Sequence, residues 1–231
     1  MNKMEHMEIK KLVISMSLPI IISMVIQALY NIVDSIFVAK ISSDALTAVS
    51  LCYPVQTIIV AIACGTAVGF NTLLARYLGE KKFDYANNTM MHGILLGFLN
   101  GLVFLVLGLL FSNIFLSWFT RDAQILGLAN TYIRICTMFS FSVFVQIIFE
   151  RIMQATGNAI YNMVMQGAGA IINIIFDPIL IFGWFGLPRM GVTGAAIATV
   201  IGQFCGMMIG YWITKKKIDA LEIKVSNFSF S

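Results

Sequence analysis

LVISMSLPIIISMVIQALYNIVDSIFVA, residues 12–39, holds one charged side chain, Asp34, in an otherwise uncharged run. A helix needs about 20 residues to cross the hydrocarbon of a bilayer, so this stretch can span one. It exceeds the apolar core of a signal peptide and lacks a small-residue cleavage site. It therefore reads as a retained first membrane helix behind the polar segment 1–11. Working outward, five more apolar segments follow, at 46–75, 90–115, 132–154, 163–185 and 192–214. Short polar breaks separate them at 40–44, 76–88, 116–130, 155–162 and 186–191. Lys215, Lys216 and Lys217 stop the last segment at an interface.

Composition agrees. The 231 residues are 59% hydrophobic and 11% charged, with mean hydropathy +0.88. A soluble domain is nearer a quarter charged, because water must be met by hydrated groups. So little charge is solvated only by lipid. The expected fold is an all-α, multi-pass bundle of six spans. One transmembrane lobe takes residues 1–214, and 215–231 begin a cytoplasmic linker.

Several function classes lose support. The net charge of +4 comes without a basic tract interleaved with aromatics, which argues against a nucleic-acid partner. Cys52, Cys64, Cys136 and Cys205 lie singly in apolar stretches and read as small core residues, not disulfides or metal ligands. His6 and His92 are far apart in polar segments. No phosphate-binding loop, HExxH or GxSxG motif is present, so an enzyme is not expected.

Basic residues set the orientation. With the N-terminus inside, 11 lysines and arginines fall on the cytoplasmic side, against 4 outside (Lys40, Arg121, Arg134, Arg189), and both ends are cytoplasmic. Pro19, Pro54 and Pro178 fall within spans, where a missing N–H favours kinks. Small residues at Gly65/Gly69, Gly97/Gly101, Gly167 to Ala170 and Gly191 to Ala198 read mainly as helix-packing surfaces.

The chemistry sits in the few polar groups at membrane depth. A carboxylate there costs a few kcal/mol, so it has a partner or a function. On the first span Gln27, Tyr30, Asn31 and Asp34 recur at three- and four-residue intervals and share one side. On the fifth span Asn173 lies one turn before Asp177, which precedes Pro178; on the sixth, Thr199 and Gln203 are one turn apart. Two carboxylates at similar depth can share a proton or chelate a small cation such as Na⁺, with amides and hydroxyls completing the shell. The bland reading is mutual satisfaction and packing. Glu150 adjoins Arg151, and local pairing or snorkelling accounts for both. Arg134 reads as an interfacial anchor. The scattered methionines and phenylalanines suit lipid contact or packing, or a greasy cavity.

Taken in order, Pro19 with residues 27–38, Ala45 to Ser50, Arg76 to Gly79, Gln154 to Asn158, Asn173 to Phe182 and Gly191 to Thr199 resemble the first half of a multidrug and toxic compound extrusion (MATE) transporter. The resemblance covers essentially the whole chain. It implies an N-terminal lobe followed in full-length members by a similar C-terminal lobe, missing here. It also implies export of drugs or lipophilic cations by exchange with H⁺ or Na⁺ at the cell membrane, with no other cofactor. The family's N-lobe cation site maps onto Asp34, Asn173, Asp177 and Thr199, with Tyr30 beside them. Gln27, Asn31, Gln203 and Glu150 are candidate polar cavity residues. The partners implied are lipid, a small drug or organic cation, and a C-terminal half or second copy. Two alternatives stand: a lipid-linked saccharide flippase of the same superfamily, and a non-transporting membrane scaffold subunit.

Overall fold

The computed structural model describes residues 8–218 and residue 221. Seven α-helices follow in order: α1 (Ile9–Ala39), α2 (Ser43–Gly79), α3 (Phe83–Ser117), α4 (Ala123–Met138), α5 (Phe141–Ala155), α6 (Ala159–Phe182) and α7 (Val192–Lys217). A single 3-10 turn, Trp184–Gly186, links the last two. Five helices are long and apolar enough to cross a membrane alone, and α4 with α5 makes a sixth span bent by 48°. The chain is thus a six-span bundle in which the fourth crossing is broken. An even number of crossings returns α7 to the side from which α1 starts.

Local chemistry explains the ends. Ser42 Oγ accepts from the Ala45 N–H at 3.0 Å, and Asp122 Oδ1 accepts from Gln124 and Ile125 at 2.8 and 3.1 Å. Both side chains satisfy amides that have no partner in a first helical turn. Gly183, at φ +75°, closes α6 in the left-handed conformation that glycine adopts without strain. The helices run unbroken through Pro19, Pro54 and Pro178. α7 continues to Lys217, so the first residues of the expected linker are helical. Residues 219–220 and 222–231 of that linker, and His6, lie outside the described residues.

The break between α4 and α5 has no proline or glycine in it. Its cause is a run of hydroxyls. Thr137 Oγ1 donates to the Ile133 carbonyl, Ser140 Oγ to that of Thr137 and Ser142 Oγ to that of Phe139, each at 2.8 Å. Such side chains compete with the backbone ladder and bend helices. Glycines of α3 receive the bend: a Cβ on Gly101 would lie 2.4 Å from Phe141 Cα, and one on Gly108 would lie 1.9 Å from Thr137 Oγ1. Gly169 on α6 and Gly202 on α7 bring those backbones together, since a Cβ on Gly202 would lie 2.8 Å from the Gly169 carbonyl oxygen. Gly65 and Gly69 differ from expectation. Nothing lies within 4 Å of a Cβ at either, so they pack against none of the described residues.

Two apolar cores occupy opposite ends of the bundle. One gathers Leu74, Met90, Ile148, Met153 and Met165; the other gathers Val38, Ala48, Leu116, Tyr132 and Ile181. Large apolar side chains also cover the outside, Leu18, Val25 and Leu29 of α1 among them, as a lipid-facing surface requires. α1 leans mainly on α6 and only lightly on α2 and α7.

Candidate functional site

The polar groups collect between the two cores. Asp34 of α1 and Asp177 of α6 face one another across the helix pair, near enough for their carboxyls to interact. Asp177 is fully buried and Asp34 nearly so. Asn173, one turn earlier on α6, has its amide oriented by its neighbours: the orientation that satisfies both ends donates from Nδ2 to Asp177 Oδ2 at 3.3 Å and accepts the Thr199 backbone N–H on Oδ1 at 3.2 Å. The amide therefore clamps α6 to α7 beside the carboxylate. Gly202 makes room for it, because a Cβ there would sit 3.0 Å from Asn173 Cβ.

Oxygens remain free at this junction. Asp34 Oδ1, Asp177 Oδ1 and Thr199 Oγ1 are all buried with no hydrogen-bond partner. Two carboxylate oxygens without donors are costly in a dry interior. A shared proton or a small hard cation removes that cost, and oxygen ligands are what Na⁺ prefers. The donor set thus fits either a proton or a small hard cation.

Two adjoining chambers flank the junction. The outer, about 220 Å³, is lined by Asp34, Asn31, Tyr53, Gln56 and Tyr132 among others. The inner, about 370 Å³, is lined by Asn173, Gln146, Glu150, Arg151 and Gln166 among others. Gln27, Tyr30, Thr199 and Gln203 border both. The sequence-derived residues thus fall into one connected polar seam, with Glu150 away from the Asp34–Asp177 pair, in the inner chamber.

One expectation needs correction. Glu150 does not pair with Arg151. It accepts a hydrogen bond from Gln166 on α6, while Arg151 Nη1 turns to Gln154 Oε1 at 2.7 Å. Adjacent helical residues point in different directions, so neighbours in sequence do not meet in space. Arg134, read as an interfacial anchor, also makes a contact between helices. Its Nε donates to Ser112 Oγ at 3.3 Å, and Ser112 Oγ donates to Asn130 Oδ1 at 2.6 Å, tying α4 to α3.

Sequence reasoning missed Gln56 and Tyr132. Gln56 Nε2 donates to the Tyr132 hydroxyl at 3.2 Å on the outer chamber wall. A glutamine in an apolar run was the available signal. Asn162, with its buried Oδ1 unpartnered, was also missed.

Fold and seam define a multi-pass α-helical membrane protein with an intramembrane carboxylate pair. The chain belongs to the MatE family, whose model matches residues 19–179. Among its relatives are a probable multidrug resistance protein NorM of Thermotoga maritima (26% identical, covering 93% of this chain and 46% of the relative) and a FAD transporter of Shewanella oneidensis (28%, 93% and 47%). A third is the multidrug export protein MepA of Staphylococcus aureus (27%, 96% and 49%). A crystal structure of MATE in the bent conformation superposes with TM-score 0.87 at 28% identity, over 96% of this chain and 49% of that one. A MOP superfamily transporter from Pyrococcus furiosus, described as having reversed binding-pocket polarity, gives TM-score 0.86 at 29% identity, over 96% and 48%. The chain spans about half the length of the relatives it matches.

Proposed function

We propose that this lobe is the N-terminal half of a cation-coupled antiporter that exports drugs or other lipophilic cations, with H⁺ or Na⁺ as the coupling ion and no resident cofactor. The observation that carries the reading is that Asp34 and Asp177 face one another, with a free buried oxygen on each. Two carboxylates in a low-dielectric interior repel strongly unless a cation or a proton sits between them. Occupancy of the pair therefore changes how firmly α1 is held against α6, the helix on which it mainly rests.

α1 is built to respond. Pro19 removes one backbone donor, and Ser23 Oγ bonds back to the Pro19 carbonyl at 2.8 Å, so the ladder is weakest about two to four turns before Tyr30. A shift of α1 changes both chambers at once, since Gln27 and Tyr30 border each. In this account ion binding and drug binding compete through the position of α1, which is the requirement for exchange. The partners are membrane lipid, a small-molecule substrate, and a C-terminal half or a second copy that closes the substrate path. The relatives' names support a transport role over an enzymatic one. A saccharide flippase calls for a basic cavity to meet a pyrophosphate, and among the described residues Arg151 alone supplies a basic group to the chamber walls.

In the complete transporter containing this lobe, Asp34→Asn and Asp177→Asn should each abolish ion-coupled efflux of a fluorescent organic cation while the protein still reaches the membrane. Unchanged efflux in both variants contradicts the proposal.

A further inference from the structure

Arg134 carries a positive charge on the outside of the bundle, away from the polar seam. It borders neither chamber. It is exposed, as are Met138 one turn further along α4 and Phe111 beside Ser112 on α3. A guanidinium on an apolar, lipid-facing surface is costly unless something neutralises it. No carboxylate of the described residues does so, since their ion pairs are Lys11–Glu8, Arg76–Glu80 and Lys82–Glu80.

The hydrogen bonds around Arg134 run one way. Its Nε donates to Ser112 Oγ at 3.3 Å, and Ser112 Oγ donates to Asn130 Oδ1 at 2.6 Å. Asn130 and Arg134 are one turn apart on α4 and so share a side. The acceptors of this groove are therefore used within it, and what is left over are donors. Neither Nη of Arg134 nor Nδ2 of Asn130 donates to any of the described residues. Ser112 is buried at 4% exposure, which holds the guanidinium plane against α3 with its outer edge free. Thr137 Oγ1 also donates to the Arg134 carbonyl at 3.2 Å, so the charge is mounted on the turn where the fourth span begins to bend. A charged groove that offers only donors takes an anion, and the planar fork of arginine matches two oxygens of a phosphate.

Depth selects the kind of anion. Ser112 lies about 7–8 Å along the axis from Ser117, the last residue of α3. Trp118 and Phe119, just beyond that end, are exposed aromatic residues of the sort that mark a membrane–water interface. Arg134 thus reaches the level of the lipid phosphates, with apolar surface below it for acyl chains. We propose that the groove between α3 and α4 holds the headgroup phosphate of an anionic phospholipid, in the leaflet away from the two described ends of the chain. Arg134 and Asn130 bind the phosphate oxygens, and Ser112 orients the guanidinium. A choline headgroup brings its own cation towards Arg134 and fits less well. The site stands apart from the Asp34–Asp177 pair and does not depend on its role.

The test uses the complete transporter containing this lobe, purified in detergent, stripped of lipid and titrated with phosphatidylglycerol or phosphatidylcholine. Native mass spectrometry counts the lipids retained. Phosphatidylglycerol should hold to the tightest site at least about tenfold better than phosphatidylcholine, the size expected for one hydrogen-bonded charge contact. Arg134→Gln should lose one tightly held phosphatidylglycerol. Arg134→Lys keeps the charge without the fork and should hold that lipid more weakly than wild type. Arg121→Gln removes an exposed arginine just before α4 and should lose none. Excess inorganic phosphate should not displace the lipid. If Arg134→Gln fails to assemble, Arg134→Lys and the comparison of the two lipids decide alone. Equal retention of the two lipids, no loss in Arg134→Gln, wild-type binding in Arg134→Lys, an equal loss in Arg121→Gln, or displacement by inorganic phosphate overturns the proposal.

Discussion

Thr199 contributes two different atoms to the junction, and they separate the two candidate ions. Its backbone N–H holds Asn173 in place, whereas its Oγ1 is buried and unpartnered. Thr199→Val keeps the first and removes the second. Coupling by H⁺, which needs only the carboxylate pair, should survive this change. Coupling by Na⁺ should fall by at least about tenfold, because a cation loses a ligand oxygen that nothing replaces. Efflux driven in turn by a proton gradient and by a sodium gradient checks this. Asp34 and Asp177 were legible because a carboxylate in an apolar run is conspicuous, and Asn173 because it repeats at one helical turn. Tyr132 and the Glu150–Gln166 contact were not. Their meaning depends on which helices become neighbours, and no spacing within one segment encodes that.

At the level of elements, the broken span is the sharpest constraint. Gly101 sits where the backbone of Phe141 crosses α3, so Gly101→Val should force the two apart and cost about 1–3 kcal/mol, the usual range for overpacking. Gly65→Ala meets nothing within 4 Å and should be silent by comparison. Thermal unfolding of the detergent-purified protein checks both; equal behaviour contradicts the packing described. The six crossings follow from hydropathy alone, because a stretch long and apolar enough to span has few alternatives. The start of α4 at Ala123 was hidden inside a segment read as a polar break. The bend was hidden too, since Thr137, Ser140 and Ser142 signal one only when their hydroxyls are seen to bond back to the helix.

For the whole molecule, the even number of crossings puts both described ends on one side, and from the excess of lysine and arginine we propose that this side is cytoplasmic. Lys81→Cys should therefore react with a membrane-impermeant maleimide only after the cell is permeabilised, and Arg189→Cys should react from outside. The reverse pattern contradicts the orientation. The proposed function requires that the lightly held α1 shift with what occupies the Asp34–Asp177 pair behind it.

The most direct measurement of that dependence is efflux from proteoliposomes containing the complete transporter, driven by an imposed H⁺ or Na⁺ gradient, with wild type compared against Asp34→Asn and Asp177→Asn. The account predicts that one gradient drives the wild type and that neither gradient drives either variant. Gradient-driven efflux at wild-type rates in both variants would show that the pair is a packing device and not the coupling site.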